Sequence, residues 1–387
     1  MSILAYVISI LCVYLSLNLF CPAVSVLLFY PANLRVSDQP ALKWTTAATN
    51  ASLLREDHGD SRDIPDYVLE YAPYCYLYSG EEYWPGLLSE HLDHTVPHIN
   101  YDSVPREFQQ PNLDDLDQLN AFGNIFLMSN DDPENYPDWL GGLSNVPDSR
   151  LHRSSAPAIL IMVSKGQYID AFWFFFYSFN LGNQVLGHRF GNHVGDWEHT
   201  VIRFENRRPI EVYYSEHAWG AAYRWEHAER HPNNRKRLLT YSAYGTHAMY
   251  RTAGNQPYVL PFGLLQDITD KGRLWDPTLN MFSYTYDPRE DTLRASNFTP
   301  DVPEAWFHFN GRWGDKAYPT DDPRQYEFLG ALHYESGPTG PKFKNLGRSA
   351  ICENSEIDCS IRNPIDDQVP RNIQPAEWEH WKRSFDR

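Results

Sequence analysis

From Asp66 onward the apolar residues fall into short runs of β-branched and aromatic side chains broken by Pro, Gly or Asn. That pattern predicts strands. The runs are Tyr67–Leu77, Ala158–Val163, Ile169–Phe179, Thr200–Phe204, Ile210–Tyr214, Leu238–Tyr244 and Phe282–Tyr286. Asn310-Gly311, set between Ala305–Phe309 and Arg312-Trp313, predicts a hairpin. Helical spacing is scarce: Trp219–His231 is one candidate, and Pro375–Phe385, with proline at its first turn, is the other. The expected fold is a β-rich α+β domain of two packed sheets, sandwich-like, with a few short helices and no fixed-period repeat.

The N-terminus reads differently. The first charged side chain is Arg35, and the apolar run Ile3–Cys21 would span about 28 Å as a helix at about 1.5 Å per residue, close to a bilayer core. Pro22 ends or kinks it, and Val24–Tyr30 prolongs it beyond a short signal core. Two readings stand: a signal anchor giving a single-pass protein with a luminal body, or a signal peptide cleaved before Val24, with Cys21 and Ala23 as the small residues a peptidase reads. The expected organisation is a hydrophobic segment at 1–30, a juxtamembrane linker at 31–66, the folded domain at 67–345 and a tail at 346–387.

A secretory route gives meaning to two acceptor triplets, Asn50-Ala-Ser52 and Asn297-Phe-Thr299, which become candidate glycosylation sites. It also favours a disulfide between Cys352 and Cys359, which enclose the polar loop CENSEIDC. Cys75, inside an aromatic run, reads as an inert buried thiol.

Composition narrows the function classes. The 387 residues carry a formal charge of −17, which repels phosphate backbones, so nucleic acid is a poor partner. No phosphate-binding loop, GxGxxG turn or CxxC pair is present, so nucleotide and thioredoxin-like chemistry lack their usual support.

One polar segment stands apart, Gly191-Asn-His-Val-Gly-Asp-Trp-Glu-His199. A hairpin through Asn206–Pro209 would return the chain to Ser215-Glu-His217, and a crossover through the Trp219–His231 helix to a parallel Leu238–Tyr244 strand would bring Gly245-Thr-His247 to the same rim. His193, Asp196, His217 and His247 would then converge as ligands for a divalent metal ion, with Glu198 as general base toward a metal-bound water. The alternative is that these groups hydrogen-bond one another and close the sheet ends beneath Trp197. His199 alternates to the opposite strand face and is excluded, and His227-Ala-Glu-Arg-His231 reads as an exposed helix face because its glutamate is misplaced for a zinc motif.

The HVGDWEH block, with Ala72-Pro73, Ser79–Pro85, Phe172–Tyr177, Tyr214–His217, Gly245–Ala248, Gly311–Gly314 and Gly337–Pro341 in order, resembles the vacuolar protein sorting-associated protein 62 family of fungi, over roughly residues 67 to 345. Ser178 departs from the proline expected in that family's aromatic strand. The resemblance implies a part in delivering proteins to the vacuole and carries no established catalytic residues. The leading expectation is therefore an endomembrane or vacuolar protein, anchored to the membrane by its N-terminal helix or else secreted, that binds a protein or glycan partner. The alternative is a metal-dependent hydrolase, or a tailoring enzyme of a fungal biosynthetic pathway, working from the His193/Asp196/Glu198/His217/His247 cluster.

Overall fold

The computed structural model describes residues 62–363 except 186, 218, 258–264, 329 and 354–358. The N-terminal apolar run, Asn50 and the Pro375–Phe385 segment lie outside the described residues. Among those described, no helix is long and apolar enough to cross a membrane.

The body is built on an eight-stranded sheet. Its spatial order is Thr292–Ala295, Met281–Asp287, Ala158–Lys165, Tyr168–Asn180, His193–Glu205, Arg208–Glu216, Trp219–Arg224 and Ile361–Arg362. The two long central strands, Tyr168–Asn180 and His193–Glu205, pair antiparallel from Tyr168↔Glu205 to Asn180↔His193. Both are buried almost end to end, which explains their near-continuous apolar and aromatic sequence. A four-stranded sheet lies in the order Met249–Tyr250, Leu238–Ser242, Pro73–Leu77, Arg273–Trp275, with its middle pair parallel. The two sheets share one core, in which Cys75, Leu77, Leu238 and Trp275 meet Trp173, Phe175, Tyr177, Ile202 and Phe204.

The opposite face of the large sheet is covered by short helical turns, loops and a small three-stranded sheet, Asp102–Ser103, Thr95–Ile99 and Ile125–Ser129, rather than by a second large sheet. Phe172, Phe174, Trp197 and Val201 pack there against Leu88, Leu116, Leu119, Trp306, Phe309, Trp313, Leu346 and Ile351. The expected disulfide, Cys352–Cys359, sits against this core.

Three local expectations give way to tertiary pairing. Trp219–His231 is not a helix: Trp219–Arg224 is a strand joined residue by residue to Arg208–Glu216, followed by the single turn Trp225–His227. Ala221, Ala222 and Tyr223 are buried there, and ladder bonds plus burial outweigh alanine's helix preference. The residues around Asn310-Gly311 do not form a hairpin, because Ala305–His308 is a helical turn whose Trp306 and Phe307 fill the core. Tyr67–Leu77 divides into the short helix Asp66–Glu70 and the strand Pro73–Leu77.

Gly195 shows how tightly the HVGDW strand is held. Its φ is +71°, and a Cβ placed on it would lie 1.7 Å from the Trp313 carbonyl oxygen. Only glycine lets these two backbones approach.

Candidate functional site

The polar residues converge where the ends of both sheets meet. Asp196 lies opposite Tyr177 in the ladder, and Leu238–Ser242 ends in the turn that carries Gly245, Thr246 and His247. The expected crossover helix is absent and that strand belongs to the other sheet, yet His247 still reaches Asp196.

His247 is fully buried, with φ at 55°, and stacks on the Tyr177 ring with centroids 3.6 Å apart. Its Nδ1 is 2.9 Å from Asp196 Oδ2 and its Nε2 is 3.0 Å from the Tyr83 carbonyl oxygen. Both nitrogens are engaged by protein. Glu81 closes the network from above, accepting from the Glu82, Tyr83 and Gly245 backbone N–H groups at 3.0 Å each. Burial pushes its pKa up, and the neighbouring His247 opposes the shift.

A second knot forms around Asp267, which sits on the strand Gln266–Thr269. Its two oxygens accept from Asn183 Nδ2 at 2.8 Å, Thr246 Oγ1 at 2.9 Å and Tyr250 OH at 2.7 Å, and pair with His217 Nε2 at 2.7 Å. Burial disfavours both charges of the pair. The mutual attraction and the hydrogen bonds outweigh it, so Asp267 is held below the usual carboxylate range and His217 above the usual imidazole range.

The remaining candidates are placed more loosely. Half-buried His193 has Nδ1 2.6 Å from the Gly195 carbonyl oxygen, and burial lowers its pKa. Glu198 accepts a very short hydrogen bond from Ser215 Oγ; burial first, then the adjacent Asp196, lifts its pKa well above the carboxylate range. His199 does face the other way, stacked 4.9 Å from Phe174 and 3.6 Å from Glu353. Trp197 also packs into that opposite core and is no lid over the network.

Metal binding at these five residues would require several of these hydrogen bonds to break, beginning with both at His247. Among the described residues no group of three or more His, Cys, Asp or Glu side chains is arranged to hold a metal ion.

An open cleft of about 450 Å³ adjoins the network. Glu82 and Tyr83 belong to both, and the other walls come from Tyr136, Pro137, Asp138, Gly141, Leu143, Leu181 and Arg189. Tyr83 is only 6% exposed, and its hydroxyl has no hydrogen-bond partner among the described residues. Asp138 likewise has no side-chain partner among them, whereas Glu82 accepts from Tyr244 OH at 2.9 Å. Tyr136 is 66% exposed. Arg189 uses Nη1 on the Gly182 carbonyl oxygen at 2.5 Å. Sequence reasoning missed Asp267 and the whole cleft. The legible signals were an acid among alternating residues in Gln266-Asp-Ile-Thr269, and two adjacent glutamates in Ser79–Pro85.

Fold and site together define a β-rich protein whose polar residues form a closed network beside an open, amphoteric cleft. The family description vacuolar protein sorting-associated protein 62 matches residues 165–316. The chain is 34% identical over 355 residues to the Saccharomyces cerevisiae vacuolar protein sorting-associated protein 62, covering 83% of this chain and 75% of that one. It is 39% identical over 324 residues to TDA6 of the same organism, whose name assigns it provisionally to vacuolar protein sorting, covering 75% of this chain and 68% of that one. The chain belongs to the vacuolar protein sorting-associated protein 62 family. The crystal structure of a necrosis and ethylene inducing protein from the agent of cocoa's witches' broom disease aligns with 49% of this chain and 69% of its own, at 11% identity and a TM-score of 0.25, too low to carry an argument.

Proposed function

We propose that the protein acts in delivery of proteins to the vacuole by binding a partner, and that the cleft beside Tyr83 is where it does so. One observation carries this reading. His247, Asp196, His217 and Asp267 of the interior are engaged by protein partners, while among the described residues Tyr83 and Asp138 have side-chain oxygens without a hydrogen-bond partner and Tyr136 is open in the adjoining hollow. This arrangement supports recognition of a partner in the hollow. Membership in a family named for vacuolar sorting supplies the pathway.

The body is read as luminal, in the endomembrane system or the vacuole. The turn holding Asn297 is consistent with that, since the residue is exposed. The test is replacement in Saccharomyces cerevisiae cells lacking both relatives: if those cells missort a vacuolar hydrolase into the medium, this chain should restore its retention. Normal sorting in the deleted cells, or no restoration by a correctly expressed chain, would remove the reading.

A further inference from the structure

Resting on the cleft as the partner site, we infer that it takes the lysine or arginine side chain of an extended peptide segment. The acceptors are Asp138 and Glu82, two carboxylates on the wall of one hollow, Glu82 also accepting from Tyr244 OH at 2.9 Å; Tyr83, whose hydroxyl has no hydrogen-bond partner among the described residues, belongs to the same lining. Pro137, Leu143 and Leu181 line the rest of it, an apolar surface on which the methylene stem of a long basic side chain can lie while its head stays at the acids. Exposed Tyr136 adds a ring whose face attracts a cation.

Arg189 fits the same occupant. Among the described residues the guanidinium donates through Nη1, to the Gly182 carbonyl, so other N–H groups are open to the backbone carbonyls of a peptide. Long-range charge points the same way. Asp131, Asp132 and Glu134, which precede Tyr136, are themselves engaged by Trp139, Arg324 and Tyr334, and the chain's formal charge of −17 favours the approach of a basic segment in general.

The test uses the purified chain and fluorescein-labelled peptides of nine residues, Gly/Ser/Ala in composition with one central Lys, or with Gln or Glu in its place. Anisotropy should show binding of the lysine peptide at least tenfold tighter than the glutamine peptide, weakening with added salt. Asp138→Asn and Glu82→Gln should each lower that affinity about tenfold, and Tyr83→Phe severalfold, with melting temperatures of the two acid variants near the parent value. Equal binding of the Lys and Gln peptides, or acid variants that bind like the parent, overturns the inference. So does a neutral oligosaccharide, mannotriose as probe, that binds and displaces the lysine peptide, because the cleft would then be a glycan site. These outcomes are separable from the sorting assay. Asp138→Asn that fails to restore sorting while the peptides never bind leaves the function standing without this ligand, and peptide binding by a chain that cannot restore sorting does the reverse.

Discussion

Asp267 offers a demanding test of the network. Replacing it with Ala strips a buried carboxylate from four partners: His217, Asn183, Thr246 and Tyr250, all within 2.9 Å. Breaking a buried ion pair costs about 3–5 kcal/mol, and each further buried donor left without a partner costs about 1 kcal/mol or more. Water entering the vacated space recovers part of this, so the net loss should be about 4–5 kcal/mol. At about 2.1 cal/mol/K of unfolding entropy per residue, a body of roughly 300 residues shifts by about 1.6 °C per kcal/mol, giving a fall in Tm of about 6–8 °C. Asp267→Asn keeps one acceptor and should lose about half as much.

The pair also dictates a pH dependence. His217 is raised in the folded state, so its contribution is complete below the ordinary imidazole pKa of about 6.5 and disappears as pH rises through the folded value. Asp267 is depressed, so its contribution is complete above the ordinary carboxylate pKa of about 3.9 and disappears as pH falls through the folded value. Together they stabilise most between about pH 4 and pH 6.5. Urea unfolding of wild type and both variants at pH 5 and pH 8 measures this. A loss under about 1 kcal/mol for Asp267→Ala at pH 5, or an equal loss at both pH values, would refute the reasoning.

Other outcomes follow from the same geometry. Gly195→Ala combines a left-handed backbone with a Cβ inside the Trp313 carbonyl and should cost over about 4 kcal/mol or abolish soluble expression, whereas wild-type yield and melting would contradict the close approach. Cys352→Ser opens the loop closed by the disulfide and should cost about 2–3 kcal/mol; an unchanged denaturation midpoint under non-reducing conditions would show the crosslink idle. Because His247 has both ring nitrogens engaged, elemental analysis of protein dialysed against Zn²⁺ and Mn²⁺ should find well under one ion per chain, and a stoichiometric ion lost in His247→Ala would reverse that expectation.

The strand Tyr168–Asn180 was legible because it is buried on both faces and Ile169–Phe179 can be little else than interior ladder, whereas its partner His193–Glu205 was expected only from Thr200 to Phe204, because the polar residues before Thr200 read as a rim. Spacing and loop polarity sufficed for Cys352–Cys359. His247 does meet Asp196, but from a strand of the other sheet rather than through the expected crossover helix. Trp219–Arg224 defeated local reading because its alanines suit either conformation, and only the facing strand Arg208–Glu216 selects one.

What the sequence determined by itself is therefore the set of residues that must be buried, the likeness carried by HVGDWEH, and the disulfide-closed loop. Each depends on neighbours close along the chain. The tertiary structure alone decided that Asp267 would hold His217 from 50 residues away, that both nitrogens of His247 would be consumed, and that Tyr83, Asp138 and Arg189 would border one hollow. Those outcomes depend on which distant groups meet first and satisfy one another, and hydrogen-bond partners across a fold leave no periodicity in the chain that supplies them.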